Sequence, residues 1–299
     1  LTAPAAPSVA MRASVILSTY NAPDLLEKVL LSYSAQVDLE PDAFEVVIAD
    51  DGSGPETVER IAALQPHLSF PVRHVWHEDR GFRKCTILNR AIVESQADYL
   101  IFSDGDCIPR PDFLATHLAL REPGRFLSGG YFKLSRAVSE ALTAEDARSG
   151  RATDPAFLRS LGVGRSLKTL RLTAGPRLAP LLDWITPTGA TWNGHNASGW
   201  RRDILAANGF DERMAYGGED RELGERLENA GIRGKQIRHR AVCVHLWHER
   251  GYIRQADLIR NRAIRDETHD RKRRVTPYGI ERSALPPRHK SSPVQGKTA

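Results

Sequence analysis

The stretch that decides the reading is 98-DYLIFSDGDCIP-109. Its apolar run, Tyr99-Leu100-Ile101-Phe102, has the length of a buried strand, and it stops abruptly at Ser103-Asp104-Gly105-Asp106. Two carboxylates one residue apart do not belong in a core unless something pairs them. The residues upstream say where they sit. Ser14 to Ser18 reads as a strand, and Pro23 suits the first turn of a helix that carries Leu25, Leu26, Val29, Leu30 and Tyr33 at helical spacing. Phe44 to Ala49 is a second strand ending in Asp50-Asp51-Gly52-Ser53, and a helix follows over Glu56 to Leu64. Val72 to His77 is a third strand, and Cys85 to Val93 a third helix. This strand–helix alternation predicts a mostly parallel α/β sheet with helices on both faces. In such sheets ligands bind beyond the carboxyl ends of the strands. Thr19-Tyr20-Asn21, Asp50 to Ser53 and Asp104 to Asp106 then share one rim, and the carboxylates face a ligand.

The chain has 299 residues, 41% hydrophobic and 26% charged, which is ample for a globular core. No run reaches the ~18 to 20 apolar residues of a membrane span, and LTAPAAPSVAM lacks the features of a secretory signal. Cys85, Cys107 and Cys243 are scattered, without a CxxC pair, and read as reduced thiols of an intracellular protein. The net charge of +5 is uneven: basic residues gather between 148 and 172 and between 250 and 274. Such clusters fit a solvated helix face, or anionic lipid, nucleic acid or phosphorylated substrates. The stretch 136 to 182 reads as basic and helical, broken at glycines. The segment 183-DWITPTGATWNGHNASGW-200 is irregular; helices follow over Arg201 to Ala207 and Glu219 to Ala230, then a late strand over Val242 to Leu246 and a basic helix from Ile253 to Thr268.

Asp104 and Asp106, at i and i+2 of an extended segment, can share one hard divalent cation, Mn²⁺ or Mg²⁺, with a diphosphate completing its shell. The bland alternative is a loop aspartate that caps the next helix. Asp50 and Asp51 suit a nucleobase or ribose, or only an Asx turn. Arg80, Arg83 and Lys84, around a glycine turn and a helix start, suit a phosphate. In 217-GGEDRELGERL-227 the acids Glu219 and Asp220 favour the helix dipole, and either carboxylate there is placed to take a proton from an attacking hydroxyl. His245 in 242-VCVHLWHER-250 would suit an Asp/Asp site as a neutral third ligand, and His248 is a weaker candidate.

SVILSTYNAPDLLEKVLLS, FEVVIADDGSG, GFRKCTILNRAI and DYLIFSDGDCIPRPDFL, in this order and spacing, resemble the N-terminal half of family 2 glycosyltransferases of the GT-A fold. The later stretch 191-TWNGHNASGWRRDILAANGFDERMAYGGEDRELGERL-227 resembles a galactosyltransferase-type C-terminal segment. The resemblance implies a GT-A (Rossmann-like) catalytic domain over 13–250. A nucleotide-binding half spans 13–110 and an acceptor half 111–250, the latter with the basic helical insert 136–182. A helical extension over 251–282, a flexible N-terminus (1–12) and a disordered tail (283–299) complete the expected organisation. It implies a nucleoside-diphosphate sugar donor, usually a uridine diphosphate hexose, a divalent metal, and single-displacement, inverting transfer to a glycan or lipid-linked acceptor. Thr19, Asp50 and Asp51 would touch the nucleoside, with Arg80 near the nucleotide. Asp104, Asp106 and His245 match the metal ligands, and Asp220 matches the base beside Glu219. Trp192 would stack on a sugar face, and Asn193, Asn196 and the Gly194 backbone would bind sugar hydroxyls. GFRKC is more basic than the family's usual loop, and the insert has no counterpart there. Expected location is the cytoplasm, with peripheral contact to anionic membrane on its inner face and no nucleic-acid partner. The competing readings are a haloacid-dehalogenase-like phosphatase, which needs its D-x-D motif on the first strand, and a non-catalytic carbohydrate- or nucleic-acid-binding protein.

Overall fold

The computed structural model describes residues 11–249 and 253–281. The expected disordered tail, and nearly all of the flexible N-terminus, lie outside the described residues. The chain begins with β1 (Ala13–Thr19), α1 (Pro23–Ser32), β2 (Phe44–Asp50), α2 (Pro55–Leu64), β3 (Val72–Trp76), α3 (Lys84–Glu94) and β4 (Tyr99–Asp104), which is the alternation read from the sequence. These strands form a parallel array in the order β3-β2-β1-β4. Ser18 pairs in register with Asp104, and Thr19 with Asp50. The carboxyl ends of three strands therefore finish level, and their polar residues share one edge.

Successive strand residues face opposite sides, and both sides are covered. Val15, Leu17, Val46, Ile48 and Ile101 pack beneath Leu26, Val29 and Leu30 of α1 and Ile61 of α2. Ile16, Val47, Leu100 and Phe102 face the other way, onto Ile87, Leu88 and Ala91 of α3.

After β4 come β5 (Cys107–Pro109), α4 (Phe113–Leu120), β6 (Arg125–Ser128) and β7 (Gly130–Lys133). The basic stretch is a train of short helices: α5 (Arg136–Ala141), α6 (Ala144–Arg148), α7 (Pro155–Ser160), α8 (Leu170–Thr173) and α9 (Leu178–Ile185). Then follow β8 (Ala197–Trp200), α10 (Arg201–Ala206), α11 (Glu219–Asn229), β9 (Arg233–Gln236), β10 (Val242–His245) and α12 (Gln255–Asp270). β8, β6 and β9 extend the sheet to seven strands, with β8 antiparallel to both β4 and β6. The irregular segment thus holds a helix end and a strand that its sequence pattern hides. A second sheet, β5-β10-β7, crosses the end of β4 and sets His245 opposite Cys107, beside Asp106.

Two buried polar clusters fix the C-terminal half. Arg226 and Glu222, one turn apart on α11, are both fully buried and joined at 2.8 Å. Arg226 also donates to the carbonyls of Ala207 and Gly209, and Thr268 of α12 donates to Glu222 at 2.8 Å. Asn89 of α3 brackets Phe210, accepting from its N–H and donating to its carbonyl. Every charge here has its partner, which a buried ion pair needs if it is not to unfold the site around it. Arg226→Ala should destabilise the fold by about 3 to 5 kcal/mol, the cost of stranding a buried carboxylate. Urea denaturation of the variant against the parent measures it.

Candidate active site

The rim opens into a cleft of about 1500 Å³. Its wall draws on every part of the chain that the sequence marks: Thr19, Asp51, Arg80, Lys84, Asp104, Asp106, His195, Glu219, Asp220, His245 and His248. Residues separated by more than two hundred positions meet there because β1, β2 and β4 end level, and because β10 and the start of α11 close over those ends.

Lys84, at the start of α3, organises the floor. Its Nζ donates to Asp104 Oδ1 at 2.8 Å, and Ser18 Oγ donates to the same oxygen at 2.5 Å. Burial opposes the lysine charge, but Asp104, Glu219 and Asp220 hold the ammonium well above its usual range. Burial likewise pushes the Asp104 carboxyl up, and Lys84, Ser18 and His195 outweigh it, so the group stays ionised far into acid. Asp106 faces the second sheet instead. Its Oδ2 lies 3.0 Å from His248 Nε2, and its Oδ1 3.8 Å from His245 Nε2. Burial raises its pKa, and the two imidazoles bring it below the ordinary value.

Glu219 and Asp220 begin α11 behind Gly217 and Gly218, whose φ angles of 114° and 89° favour glycine. Glu219 accepts from the Gly217 N–H at 2.8 Å, and Asp220 accepts from the Gly194 N–H at 3.0 Å. Burial, and then the negative charge of Asp220, push the Glu219 carboxyl up to about 7. Asn261 of α12 holds the preceding loop, with its amide nitrogen within 3.2 Å of the carbonyls of Ala215, Tyr216 and Gly217.

At the end of β2, Asp51 accepts from His77 at 2.8 Å and from the Arg83 N–H at 2.9 Å while still lining the cleft. Thr19 Oγ1 is buried at the cleft wall without a hydrogen-bond partner among the described residues. A ligand hydroxyl or carbonyl would satisfy it. Arg80 reaches the cleft from an exposed loop and pairs with Glu78 at 2.7 Å.

Four residues expected to touch the ligand are corrected. Asp50 is fully buried under the rim, accepting from the Ser53 N–H at 2.8 Å and pairing with His74 at 2.9 Å, so it shapes the turn that presents Asp51 and does not line the cleft. Trp192 has no exposed surface: it packs edge-on to Phe102 and against Phe126, and Gly199 and Gly224 leave room for it. It is a core residue and cannot stack on a sugar. Asn193 lies behind the wall, donating to Ser128 Oγ at 3.1 Å, and the buried Asn196 bonds His117 and the carbonyls of Gly130 and Ala241. The backbone of the same stretch does reach the cleft, through Gly194 and His195. His195 is the residue that sequence reasoning missed. Burial lowers its pKa against the pull of Asp104 and Asp220, and Tyr131 packs edge-on to its ring at 4.5 Å. A histidine three residues from a buried tryptophan carries no periodic signal of its own.

A divalent cation fits the Asp106 side of the cleft. Donor atoms of Asp106, Cys107 and His245 lie within 4.8 Å of one another. Carboxylate and imidazole suit Mn²⁺, and the thiol is the soft member of the set. Asp104 stands outside this group, its Oδ1 already held by Lys84 and Ser18.

Comparison with known proteins agrees with this geometry. Residues 14–127 match the model of glycosyl transferase family 2. The chain is 28% identical to the uncharacterized glycosyltransferase YfnE of Bacillus subtilis, over 80% of this chain and 65% of that protein. It is also 28% identical to validoxylamine A glucosyltransferase of Streptomyces hygroscopicus subsp. limoneus, over 73% of this chain and 48% of that protein. The chain thus spans about half to just under two thirds of the length of these curated relatives. Among solved structures, mannosyltransferase PcManGT from Pyrobaculum calidifontis, in complex with GDP-Man and Mn²⁺, superposes with a TM-score of 0.54 at 22% identity, covering 81% of this chain and 58% of that one. S. aureus TarS 1-349, in complex with UDP-GlcNAc, superposes with a TM-score of 0.56 at 16% identity, covering 88% and 69%. The fold is the GT-A fold of these structures.

The raised Glu219 pKa has a consequence for stability. Between the ordinary carboxyl value of 4.5 and about 7 the folded chain holds a proton that the unfolded chain releases, so this group costs stability as pH rises through that window. Glu219→Gln removes the cost. The variant should gain on the parent between pH 4.5 and pH 8, by roughly 3 kcal/mol at most, read from urea midpoints at the two pH values. A gain that does not change with pH would mean that Glu219 titrates normally.

Proposed function

We propose that this chain, which carries a glycosyl transferase family 2 domain over residues 14–127 in a GT-A fold, is a metal-dependent inverting glycosyltransferase. It would move a hexose from a nucleoside diphosphate to a hydroxyl of a glycan or lipid-linked acceptor. The observation that carries the reading is the meeting of Asp51, Asp104, Asp106, Glu219 and Asp220 with Lys84 in one cleft at the carboxyl edge of the sheet. A generic binding surface has no need for five acids in one cleft, three of them acting on one lysine. The resemblance of residues 191–227 to a galactosyltransferase-type segment favours galactose or N-acetylgalactosamine, with uridine as the base.

In this reading Asp51 and Thr19 hold the nucleoside, and Arg80 lies near its phosphates. Asp106 and His245, with His248 beside them, would hold Mn²⁺ or Mg²⁺, and Asp104 lies next to the diphosphate side. When bound, the cation supplies positive charge that stabilises the departing diphosphate. Lys84 keeps the floor neutral enough for an anionic donor to approach two rows of carboxylates. Asp220, oriented by the Gly194 N–H, takes the proton from the acceptor hydroxyl as that oxygen attacks the anomeric carbon. Attack comes from the face opposite the leaving diphosphate, so a single displacement inverts the configuration. Burial and the Asp220 charge push the Glu219 carboxyl up, and while protonated it spares Asp220 a second adjacent negative charge.

Two variants separate the roles. Asp220→Asn should keep nucleotide-sugar affinity and lose turnover by about 10² or more. A normal kcat for this variant would move the base elsewhere. Asp106→Ala should abolish Mn²⁺-dependent donor binding in calorimetry while thermal unfolding stays near that of the parent; undiminished Mn²⁺-dependent binding would refute the metal assignment. A screen of Mn²⁺-dependent hydrolysis over a panel of nucleotide sugars would identify the donor.

A further inference from the structure

Helix α9 is inside out. Its buried positions are Ala179 and Asp183, while Leu178, Leu181, Trp184 and Ile185 lie on the opposite face. Trp184 is 82% exposed and Leu181 51%. The inward aspartate is well satisfied: it accepts from the His239 N–H at 2.7 Å and from Arg240 Nε at 2.7 Å. The helix is therefore pinned in this orientation by a buried polar anchor, with its apolar side turned outward. Soluble surfaces seldom place a tryptophan and three aliphatic side chains on one exposed helix face without a use.

The charge around this face is of one sign. Between Asp154 and Asp183 the sequence holds five basic residues and no acidic one. Arg165, Lys168 and Arg177 are exposed, and none makes a salt bridge among the described residues. The exposed Leu167, at 86%, sits between the first two. An aromatic and aliphatic face flanked by unpaired cations matches a bilayer interface with anionic headgroups, where apolar side chains enter the acyl boundary and cations remain at the phosphates. No helix among the described residues is long and apolar enough to cross a membrane, so the contact is peripheral.

We propose that the segment from Arg165 to Ile185 docks the protein on an anionic lipid surface, with the outer face of α9 lying in the headgroup region. The segment is tied to the cleft wall: Arg171 of α8 donates to the carbonyl of Tyr131 at 2.7 Å, and Tyr131 and Lys133 of β7 line the cleft. Docking by this face brings the cleft next to the bilayer, where an acceptor carried on a lipid would present its headgroup. The docking itself does not depend on the transfer reading, since it is measured without donor or acceptor.

The test is co-sedimentation of the full chain with vesicles of phosphatidylcholine alone or containing phosphatidylglycerol, at low and high salt. The parent should bind the anionic vesicles at low salt and lose them at high salt. Trp184→Ser combined with Leu181→Ser should lower the partition about 10-fold or more, as expected when buried apolar area is removed. Arg165→Glu, Lys168→Glu and Arg177→Glu together should lower it ~100-fold, at about one kcal/mol per cation. Thermal unfolding and Mn²⁺-dependent nucleotide-sugar hydrolysis should stay unchanged in both variants, which separates this outcome from failure of the enzyme. Absence of binding to anionic vesicles, or binding that neither variant weakens, overturns the proposal. So does a concentration-dependent dimer that Trp184→Ser dissolves, for the face would then meet a second copy of the chain.

Discussion

The site depends on one ion pair, Lys84 with Asp104. The lysine opens α3 and the aspartate ends β4, so the contact joins the two elements that frame the cleft floor. Asp104, Glu219 and Asp220 all act on the same ammonium. Without it, three acids would face one another in a partly buried space, and each would be pushed toward its neutral form. With it, Asp104 stays ionised, and the repulsion that remains is relieved at Glu219, whose carboxyl burial and Asp220 push toward the neutral form. The lysine therefore sets which carboxylates are charged when a substrate arrives. The Asp106 side is tuned by His245 of the second sheet and by His248 just beyond it, against the charge of Asp104.

Much of the fold was legible because its signals were long. β1, β2 and β4 each hold an apolar run, Val15–Leu17, Val46–Ala49 and Tyr99–Phe102, and the helices between them show clean periodicity. The polar ends of those strands located the cleft before any contact was known. The added strands were hidden because they are short and atypical. β9 is Arg233-Gly-Lys-Gln, with no apolar side chain, and it belongs to the sheet through its pairing with β6 alone. Propensity says nothing there, and tertiary pairing decides.

The errors in the site have a common physical cause. Asp50 and Asn193 each stand next to a residue that lines the cleft, Asp51 and Gly194, and Trp192 is two positions from Gly194, yet none of the three reaches the cleft. In an extended or turning backbone, neighbours point to opposite sides, so adjacency in sequence is weak evidence of shared exposure. Asp50 supports Asp51 through the turn at Ser53, and Trp192 fills the space behind Gly194 and His195. These residues matter to the site as its backing. Glu219 and Asp220, singled out behind a Gly-Gly at a helix start, do line the cleft.

The loop ahead of Glu219 owes its shape to Asn261, a side chain some forty positions later in the chain. Its amide gathers three backbone carbonyls that have no other means of staying together once two glycines have removed the local stiffness. The last helix is thus not an appendage to the framework of the cleft. During synthesis the strand-end rim can form as soon as β4 has emerged, whereas the loop ahead of Glu219 gains its Asn261 contacts only when α12 follows. The two halves of the cleft are in this sense completed in chain order, the half at the start of α11 last.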